Sequence, residues 1–179
     1  IEQGKVQLSE DSVNIKDLLD EMSSLFFYDL GRKKLGFFIT ILGEFPTEFT
    51  TDYIKLKYIL VNLLNNAIKF TEEGSITFKA VLNQTRARKA NINFEVKDTG
   101  IGISKENQDA IFESFKQLNT SHKYKGSGLG LAIAKHFVEL SGSTISVNSK
   151  LDKGSSFSTN LNFRLDPNYK LKKEKSVFI

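Results

Sequence analysis

Apolar residues recur every three or four positions in three stretches of this chain, which is the spacing of an amphipathic helix. The stretches are residues 15–28, 52–70 and 129–141. Gly31 lies just beyond the first stretch and Gly142 just beyond the third, where glycine commonly ends a helix. The pattern therefore predicts three helices, each with one face in a core.

Five shorter stretches have the patterns of β-strands. Residues 37–42 are an apolar run of strand length, and residues 75–82, 91–98, 144–149 and 155–163 have alternating patterns. Between the third and the fourth of these, Ser104 is placed to cap a short helix that reaches residue 111 or 112. The polar residues that follow, up to residue 125, predict a loop.

The order of these elements is helix, strand, helix, two strands, loop, helix and two strands. That order predicts an α+β fold, a two-layer α/β sandwich in which a mixed sheet of the five-stranded type carries three helices on one face. We expect the folded domain to span residues 13–163. Residues 1–12 and 164–179 lack the patterning and are predicted to be linkers to neighbouring domains.

Composition narrows the possible chemistry. The chain has 179 residues, 40% hydrophobic and 26% charged, which suits one globular domain without a cysteine-based site, since cysteine is absent. No apolar run approaches the roughly 20 residues that span a bilayer. The net charge of +4 would suit an anionic partner, but the basic runs 86–89 and 170–173 fall in a predicted hairpin loop and in the tail. A nucleic-acid-binding module is therefore the weaker alternative.

A polar stripe runs along the second predicted helix. Asn62 and Asn66 lie one turn apart, and Lys69 and Phe70 lie about one turn further on. An asparagine oxygen is a suitable ligand for Mg²⁺, which takes its other ligands from phosphates and water. The lysine can then meet the phosphate charge, and the phenylalanine can stack on a base. For an isolated asparagine pair, the safer alternative is a surface helix whose amides only face water.

Asp98 ends a predicted strand, in phase with the inward-facing Ile92 and Phe94, so its carboxylate is expected to point to the interior. A buried carboxylate needs a partner, and the exocyclic amine of adenine is a suitable one. Gly100 and Gly102 remove side chains and allow the backbone to approach a ring. Taken alone, an ordinary Asp-Thr-Gly turn is the better explanation of this segment.

Gly126, Gly128 and Gly130 lead directly into the third predicted helix, where free N–H groups and the positive end of the helix dipole favour phosphate. Their spacing is not that of a dinucleotide-binding loop, and no Gly-x-x-x-x-Gly-Lys-Ser/Thr loop is present. The His-Arg-Asp loop of Ser/Thr/Tyr protein kinases is absent too. The three segments together predict a Mg-ATP site of a different type.

Four segments, in order and at these spacings, resemble the N, G1, F and G2 boxes of sensor histidine kinases. They are residues 62–71, 98–103, 111–115 and 126–135. The resemblance covers about residues 13–163 and implies the ATP-binding catalytic domain of that family, within the GHKL superfamily. Gyrase-type ATPases, heat-shock chaperones and mismatch-repair ATPases share its α/β sandwich.

The resemblance implies Asn66 as the ligand of Mg²⁺, and Asn62 and Lys69 as catalytic residues. It also implies that the Ser155 hydroxyl supports Asp98, although an ordinary strand serine fits the pattern about equally well. The nucleotide-binding positions that it implies are Asn66, Lys69, Phe70, Asp98, Gly100, Gly102, Ile103, Gly126, Ser127, Gly128, Leu129, Gly130, Leu131 and Ser155.

The resemblance also implies a lid over residues 113–125, anchored by the aromatic pair Phe112 and Phe115. Many relatives have an arginine after this pair, whereas Gln117 stands here. The resemblance therefore does not decide which residue of the lid supplies a positive charge to the γ-phosphate. Three lysines are nearby: Lys116, Lys123 and Lys125. Glutamine at this place is familiar in hybrid kinases, which carry a receiver domain after the catalytic domain.

Relatives that hydrolyse ATP have a glutamate one turn before the metal-binding asparagine, to activate water. The residue here is Asn62, whose amide cannot accept the proton, so we expect phosphoryl transfer to a nucleophile supplied elsewhere. Neither histidine of the chain, His122 in the lid or His136 on the third helix, lies in a segment like the acceptor helix of the family. We expect His136 to be partly packed.

The function implied is the ATP-binding catalytic domain of a two-component sensor histidine kinase, with ATP and Mg²⁺ as cofactors. It would donate the γ-phosphoryl group to a histidine on an upstream dimerisation domain, and it would not autophosphorylate alone. Further expectations are a response-regulator receiver domain as partner, no nucleic acid, no direct membrane contact and a cytoplasmic location. The alternative is a nucleotide-binding sensor or scaffold without phosphotransfer.

Overall fold

The computed structural model describes residues 10–115, 128–173 and 177–178. In these ranges it has three α-helices, which are α1 (Ile15–Lys33), α2 (Tyr53–Phe70) and α3 (Gly130–Leu140). Two single-turn 3-10 helices span Lys105–Asn107 and Ala110–Phe112. The strands are β1 (Asp11–Val13), β2 (Gly36–Leu42), β3 (Glu44–Pro46), β4 (Phe49–Thr51), β5 (Ser75–Arg86), β6 (Lys89–Asp98), β7 (Ile145–Lys150), β8 (Gly154–Arg164), β9 (Leu171–Lys173) and β10 (Val177–Phe178).

One mixed sheet contains eight of these strands, in the order β1-β4-β8-β6-β5-β2-β10, with β7 also paired to β8. The β2–β5 pair is parallel and the other pairs are antiparallel. The five predicted strands are β2, β5, β6, β7 and β8, and the predicted α+β class is confirmed. The sequence pattern missed the short strands, because two or three residues are too few to show a period.

The core lies between the sheet and the helices. Alternate residues of neighbouring strands are buried in register on one face, as in the pairs Phe78–Val96 and Phe94–Thr159. Helix α2 contacts β5 and β6 on this face, and it also packs against α1 and α3. Each large apolar side chain buried there contributes about 1.5–3 kcal/mol. This packing fixes α2, which carries the predicted polar stripe, on the sheet and against the other two helices.

The opposite face of the sheet is polar. Asparagines from β5, β6 and β8 donate to one another across the strands, with Asn83 Nδ2 2.8 Å from Asn91 Oδ1 and 2.9 Å from Asn160 Oδ1. Asn91 Nδ2 continues the chain to Asn162 Oδ1 at 2.8 Å. The sheet is therefore covered by helices on one side only, as the predicted sandwich requires.

The end of α1 differs from the prediction. Gly31 lies inside the helix, which continues to Lys33, and the residue that ends it is Lys34 in the left-handed region with φ 56°. The Leu35 N–H donates to Leu30 O at 3.0 Å, which closes the helix end, and the Leu35 side chain is buried. A glycine is the usual signal for this geometry, and its absence at position 34 explains the error.

Two further local predictions are right in kind and differ in detail. Short helical segments follow Ser104 and reach Phe112, but they are two 3-10 turns, and the Ser104 hydroxyl accepts from Asn107 Nδ2 at 3.0 Å and caps no main-chain N–H. The basic run at residues 86–89 lies in the predicted hairpin, but the strands are longer than predicted, since β5 and β6 pair up to Arg86 and Lys89. Ala87 and Arg88 alone form the turn, and both have positive φ.

Part of the predicted C-terminal linker is paired with the domain. Residues of β9 pair with β3, and β10 pairs with β2 at the edge of the main sheet. The Leu165 side chain is buried, and its N–H donates to Arg88 O at 2.9 Å. That this segment leads to a further domain stays a prediction, and residues 1–9 lie outside the described part.

Among the helices of the described ranges, none combines the length and the apolar character that crossing a bilayer requires.

Candidate nucleotide-binding site

Asp98 ends β6 with its side chain in the core, as its phase in the strand predicts. Its exposed fraction is 4%, and Oδ1 accepts from the main-chain N–H groups of Gly100 at 2.8 Å and Ser155 at 3.2 Å. Burial raises the pKa of Asp98, and these two hydrogen bonds offset that effect only in part. Both bonds use the same oxygen, so the geometry suits a donor from a ligand at Oδ2.

The loop after Asp98 is fixed by main-chain hydrogen bonds to two other elements. The Ile101 N–H donates to Phe70 O at the end of α2 (3.2 Å), and Ile101 O accepts from the Asp152 N–H (2.8 Å) in the β7–β8 turn. The Ile103 N–H donates to Ser149 Oγ at 2.7 Å. The loop is therefore held between α2 on one side and the β7–β8 hairpin on the other.

Glycine is required at several places where this loop meets its neighbours. A Cβ at Gly102, where φ is +69°, would lie 2.0 Å from Lys150 O, and one at Gly154 would lie 2.0 Å from Asp98 O. A Cβ at Gly100 would lie 2.3 Å from Phe70 O. Real Cβ atoms do not approach backbone oxygens so closely, so at these three positions the chain segments can meet only because a glycine is present.

Hydrogen bonds to the backbone of α2 fix the side-chain amides of two of its asparagines, Asn62 and Asn66. Asn62 Nδ2 donates to Tyr58 O at 2.8 Å, and Asn66 Nδ2 donates to Asn62 O at 2.9 Å. Each nitrogen is thus bound to the helix one turn back, and each amide oxygen faces away from that bond. Asn65, by contrast, is exposed, whereas Asn62 and Asn66 are half-buried.

Asn62 also contacts the start of α3. A Cβ at Gly130 would lie 2.2 Å from Asn62 Oδ1, so a side chain there would push the Asn62 amide out of its present position. Leu129 forms the N-cap of α3 without a side-chain hydrogen bond, and Gly128 precedes it with φ +71°. The N–H groups of the first helical turn have no side-chain cap from Leu129, as a phosphate site would require.

Lys69 and Phe70 lie against each other at the end of α2. The Lys69 Nζ is 5.1 Å from the centre of the Phe70 ring, and both side chains are half-buried. Burial lowers the pKa of Lys69. Adenine and phosphates are opposite ends of ATP, so this contact would have to open if Lys69 is to reach phosphate while Phe70 stacks on the base.

The structure thus brings most of the predicted positions together around α2. Its Phe70 end meets the Asp98–Gly102 loop, and its Asn62 end meets Gly130, about 12 Å away at 1.5 Å per residue. Ile103 and Leu131 are half-buried beside these contacts. Gly126 and Ser127, also predicted as nucleotide-binding, lie outside the described residues.

Ser155 contributes differently from the prediction. Its main-chain N–H reaches Asp98, whereas its hydroxyl lies 3.0 Å from Ser149 Oγ. The hydroxyl therefore supports the hairpin and has no direct bond to the carboxylate. Its position at a strand end explains this, because the backbone of β8 faces the end of β6 there.

Sequence reasoning missed the residues that brace the loop. Gln108 Nε2 donates to Ile103 O at 3.3 Å and to Ser149 O at 2.8 Å, which ties the loop to β7. Isolated polar residues such as Gln108 and Ser149 have no motif, and only the fold brings them together. Gly154 did carry a signal, as a glycine after a polar turn, but its contact with Asp98 is tertiary.

The region around the predicted lid is described only in part. Phe112 packs edge-on against Phe157, with ring centres 6.3 Å apart, but Phe115 is 74% exposed. The Phe115 N–H donates to Gly128 O at 3.1 Å and so joins the chain on either side of residues 116–127. Those residues, with Gln117, His122 and the three lid lysines, lie outside the described part. His136 is exposed on α3, so the expectation that it is partly packed is wrong.

The side chains available to coordinate a metal decide which metal fits the site. Within the described ranges, no group of three or more acidic or histidine side chains converges on a point, as a fully protein-bound cation would need. Asn66 offers one neutral oxygen, one helical turn from Asn62, whose own amide oxygen lies against Gly130 at the start of α3. A cation that takes one protein oxygen and completes its shell from phosphates and water, such as Mg²⁺, fits this arrangement.

Several known proteins resemble this chain in sequence and in fold. Residues 51–165 match the model of the family described as histidine kinase-, DNA gyrase B- and HSP90-like ATPases. The sensor histidine kinase GacS of Pseudomonas protegens is 35% identical over 164 residues, which cover 90% of this chain and 18% of GacS. The signal transduction histidine-protein kinase BarA of Escherichia coli is 34% identical over 170 residues, which cover 94% of this chain and 18% of BarA.

A solved structure, full-length ShkA in complex with AMPPNP, has the same fold with a TM-score of 0.77 and 29% identity. The likeness covers 90% of this chain and 32% of ShkA. The chain spans about 18% of the length of its curated relatives GacS and BarA, so it corresponds to one part of such proteins. The family model covers more than half of the chain and the kinases match almost all of it: the chain belongs to the family of histidine kinase-, DNA gyrase B- and HSP90-like ATPases, as an ATP-binding catalytic domain of the sensor histidine kinase type.

Proposed function

We propose that this domain binds Mg-ATP and donates the γ-phosphoryl group to a histidine on a separate dimerisation domain. The observation that carries the proposal is how the side-chain amide of Asn62 is held. Its Nδ2 is bonded to Tyr58 O and its Oδ1 lies against Gly130, so the residue one turn before Asn66 cannot act as a base toward water. ATP bound here would therefore be kept for a nucleophile from elsewhere.

The described residues divide the work of binding. Asp98 Oδ2 would accept from the adenine amine, and Gly100 and Gly102 would hold the loop in place by letting it pack against Phe70 O and Lys150 O. The N–H groups at the start of α3 would bind phosphate oxygens, and Lys69 would balance their charge. Asn66 Oδ1 would hold Mg²⁺, which supplies further charge neutralisation when bound.

The transfer itself needs positioning more than covalent chemistry from this chain. An imidazole nitrogen of the acceptor would attack the γ-phosphorus, the bond to the β,γ-bridging oxygen would break, and ADP would leave. The acceptor imidazole loses its N–H proton on the way to phosphohistidine. Of the two histidines here, His136 is exposed on α3, six residues beyond the glycine that contacts Asn62, and we expect it to have no role as acceptor.

The proposed partners follow from the need for an acceptor histidine outside this chain. We propose an upstream dimerisation domain that carries the acceptor histidine, and a receiver domain as the next acceptor; the chain alone would not autophosphorylate. We also propose a cytoplasmic location, where ATP is available. GacS and BarA, which resemble this chain over about nine tenths of its length, are named as kinases of this type and support the proposal.

The test is phosphotransfer between separated parts. The chain is mixed with γ-labelled ATP, Mg²⁺ and an acceptor fragment made from the dimerisation domain of its own parent protein. We expect acid-labile, base-stable label on the fragment, none when the acceptor histidine is replaced by alanine, and much less at low ATP concentration when Asp98→Asn is used as donor. Tight ATP binding without transfer would instead support a nucleotide sensor or scaffold.

A further inference from the structure

Lys33, the last residue of α1, reaches across to the end of α2. Its Nζ donates to three main-chain oxygens, Ile68 O at 2.6 Å, Lys69 O at 3.1 Å and Thr71 O at 3.0 Å. An ammonium group has three donors, so each of its N–H bonds has a carbonyl. The side chain is 21% exposed, and Glu72 is its nearest acidic neighbour at 4.0 Å.

The carbonyls at the end of α2 all have partners, and Lys33 supplies most of them. The last carbonyls of a helix have no partner within the helix, and they carry the negative end of its dipole. Here Thr71 Oγ1 donates to Ala67 O at 2.7 Å, and the Ile101 N–H donates to Phe70 O. With the three bonds from Lys33, the five consecutive carbonyls of residues 67–71 are bound.

Two of these five carbonyls belong to residues of the proposed nucleotide site, Lys69 and Phe70. Lys69 and Phe70 are predicted to serve phosphate and base, and Phe70 O holds the loop after Asp98 through Ile101. A charged donor makes stronger hydrogen bonds than a neutral one, so the ammonium fixes this turn more firmly than water would. The rest of α1 is anchored independently by buried apolar residues, among them Leu18, Leu19, Met22 and Phe26.

We propose that Lys33 is a positioning residue for ATP binding, which holds the last turn of α2 and, through the Phe70–Ile101 bond, the adenine loop in their binding geometry. This inference rests on the proposed function, since it takes the pocket beside α2 as the ATP site. The three donors of the Lys33 ammonium are bonded to the main-chain oxygens of Ile68, Lys69 and Thr71. Lys33 therefore does not itself line the pocket.

The test compares Lys33→Met, which keeps the length of the side chain and removes its charge, with Lys33→Arg. The control is Lys34→Met at the exposed neighbouring position, and Ile39→Val in β2 serves as a variant with a mild stability loss away from the site. Two quantities are measured on the whole chain well below the melting temperature of every variant. They are the Kd for Mg-ATP and the hydrogen-exchange rate of the Ile101 amide without ligand.

For Lys33→Met we expect the Ile101 amide to exchange faster and the Kd for Mg-ATP to rise about tenfold. Lys33→Arg should recover part of both effects, and both controls should leave both quantities near wild type. Faster exchange with an unchanged Kd would overturn the positioning role and leave the proposed function intact. A wild-type chain that does not bind Mg-ATP would overturn both. A rise in Kd that Ile39→Val matches would show that Lys33 acts only through stability.

Discussion

The two ends of the candidate site are built in different ways. The base end is made of backbone: Asp98 is buried, its Oδ1 accepts two main-chain N–H groups, and the loop after it is bonded to α2 and to the β7–β8 turn. The phosphate end is made largely of half-buried side chains on α2 and of the start of α3. The base end is therefore set before ATP arrives, whereas the phosphate end depends on groups that the ligand must engage.

The largest effect should come from breaking the backbone contacts of the base end. In Gly102→Ala the new Cβ would clash with Lys150 O, and the residue would keep an unfavourable positive φ. We expect a loss of about 3 kcal/mol or more in the free energy of unfolding, measured by urea titration.

The matched control for that change is Gly142→Ala. Gly142 has nearly the same φ, +73°, but nothing lies within 4 Å of the position that its Cβ would take. It should lose only about 1 kcal/mol. Equal losses of unfolding free energy at the two glycines would mean that the close approach of the loop to β7 does not contribute to stability.

Asp98→Asn should separate recognition of the base from stability. The amide oxygen of the new side chain can keep both N–H bonds, while its NH₂ replaces the oxygen that would accept from adenine. The ATP Kd should rise about 10- to 100-fold, as for the loss of a hydrogen bond to a charged group. GTP should lose less or gain, because guanine presents an acceptor at that ring position. Titration calorimetry with both nucleotides measures the difference.

The raised pKa of Asp98 gives this prediction a pH dependence. Since the folded-state pKa lies above the unfolded value, the folded state binds the proton more tightly, and ionisation of Asp98 lowers stability as pH rises through the folded pKa. At a pH above the folded pKa the cost is fully present, and there Asp98→Asn should melt no lower than wild type. ATP affinity of the wild type should fall as pH drops toward the raised pKa, and the fall should be absent in Asp98→Asn.

At the phosphate end, Asn66→Ala should remove the effect of Mg²⁺ on ATP binding. The wild-type Kd should improve at least about tenfold when Mg²⁺ is added, and the variant Kd should not change. Asn65→Ala, at the exposed neighbouring position, should behave as wild type. A variant that keeps its response to Mg²⁺ would show that another group holds the metal.

The sequence predicts the features that depend on local patterns and misses those that depend on contacts between distant parts of the chain. Helical spacing and strand alternation predicted α1 to α3 and the five main strands, and the phase of Asp98 correctly predicted its burial. Those features are local periods. The braces of the base loop, Gln108, Ser149 and Lys33, have no local pattern, because their partners lie 5 to 46 residues away in the chain.

The smallest expected effect lies away from both ends. Lys34 ends α1 in the left-handed region, where a side chain costs about 1 kcal/mol. Lys34→Gly should therefore raise the free energy of unfolding by up to about 1 kcal/mol and leave the ATP Kd unchanged. A loss of stability would mean that the Lys34 side chain makes a contact of its own.

The claim on which the account depends is that one pocket beside α2 takes both ends of ATP. The most direct measurement is a crystal structure of the chain with Mg²⁺ and a nonhydrolysable ATP analogue. We predict the adenine amine within hydrogen-bond distance of Asp98 Oδ2, the metal on Asn66 Oδ1 and phosphate oxygens at the N–H groups that begin α3. A nucleotide bound elsewhere, or an adenine that does not contact Asp98, would contradict the account.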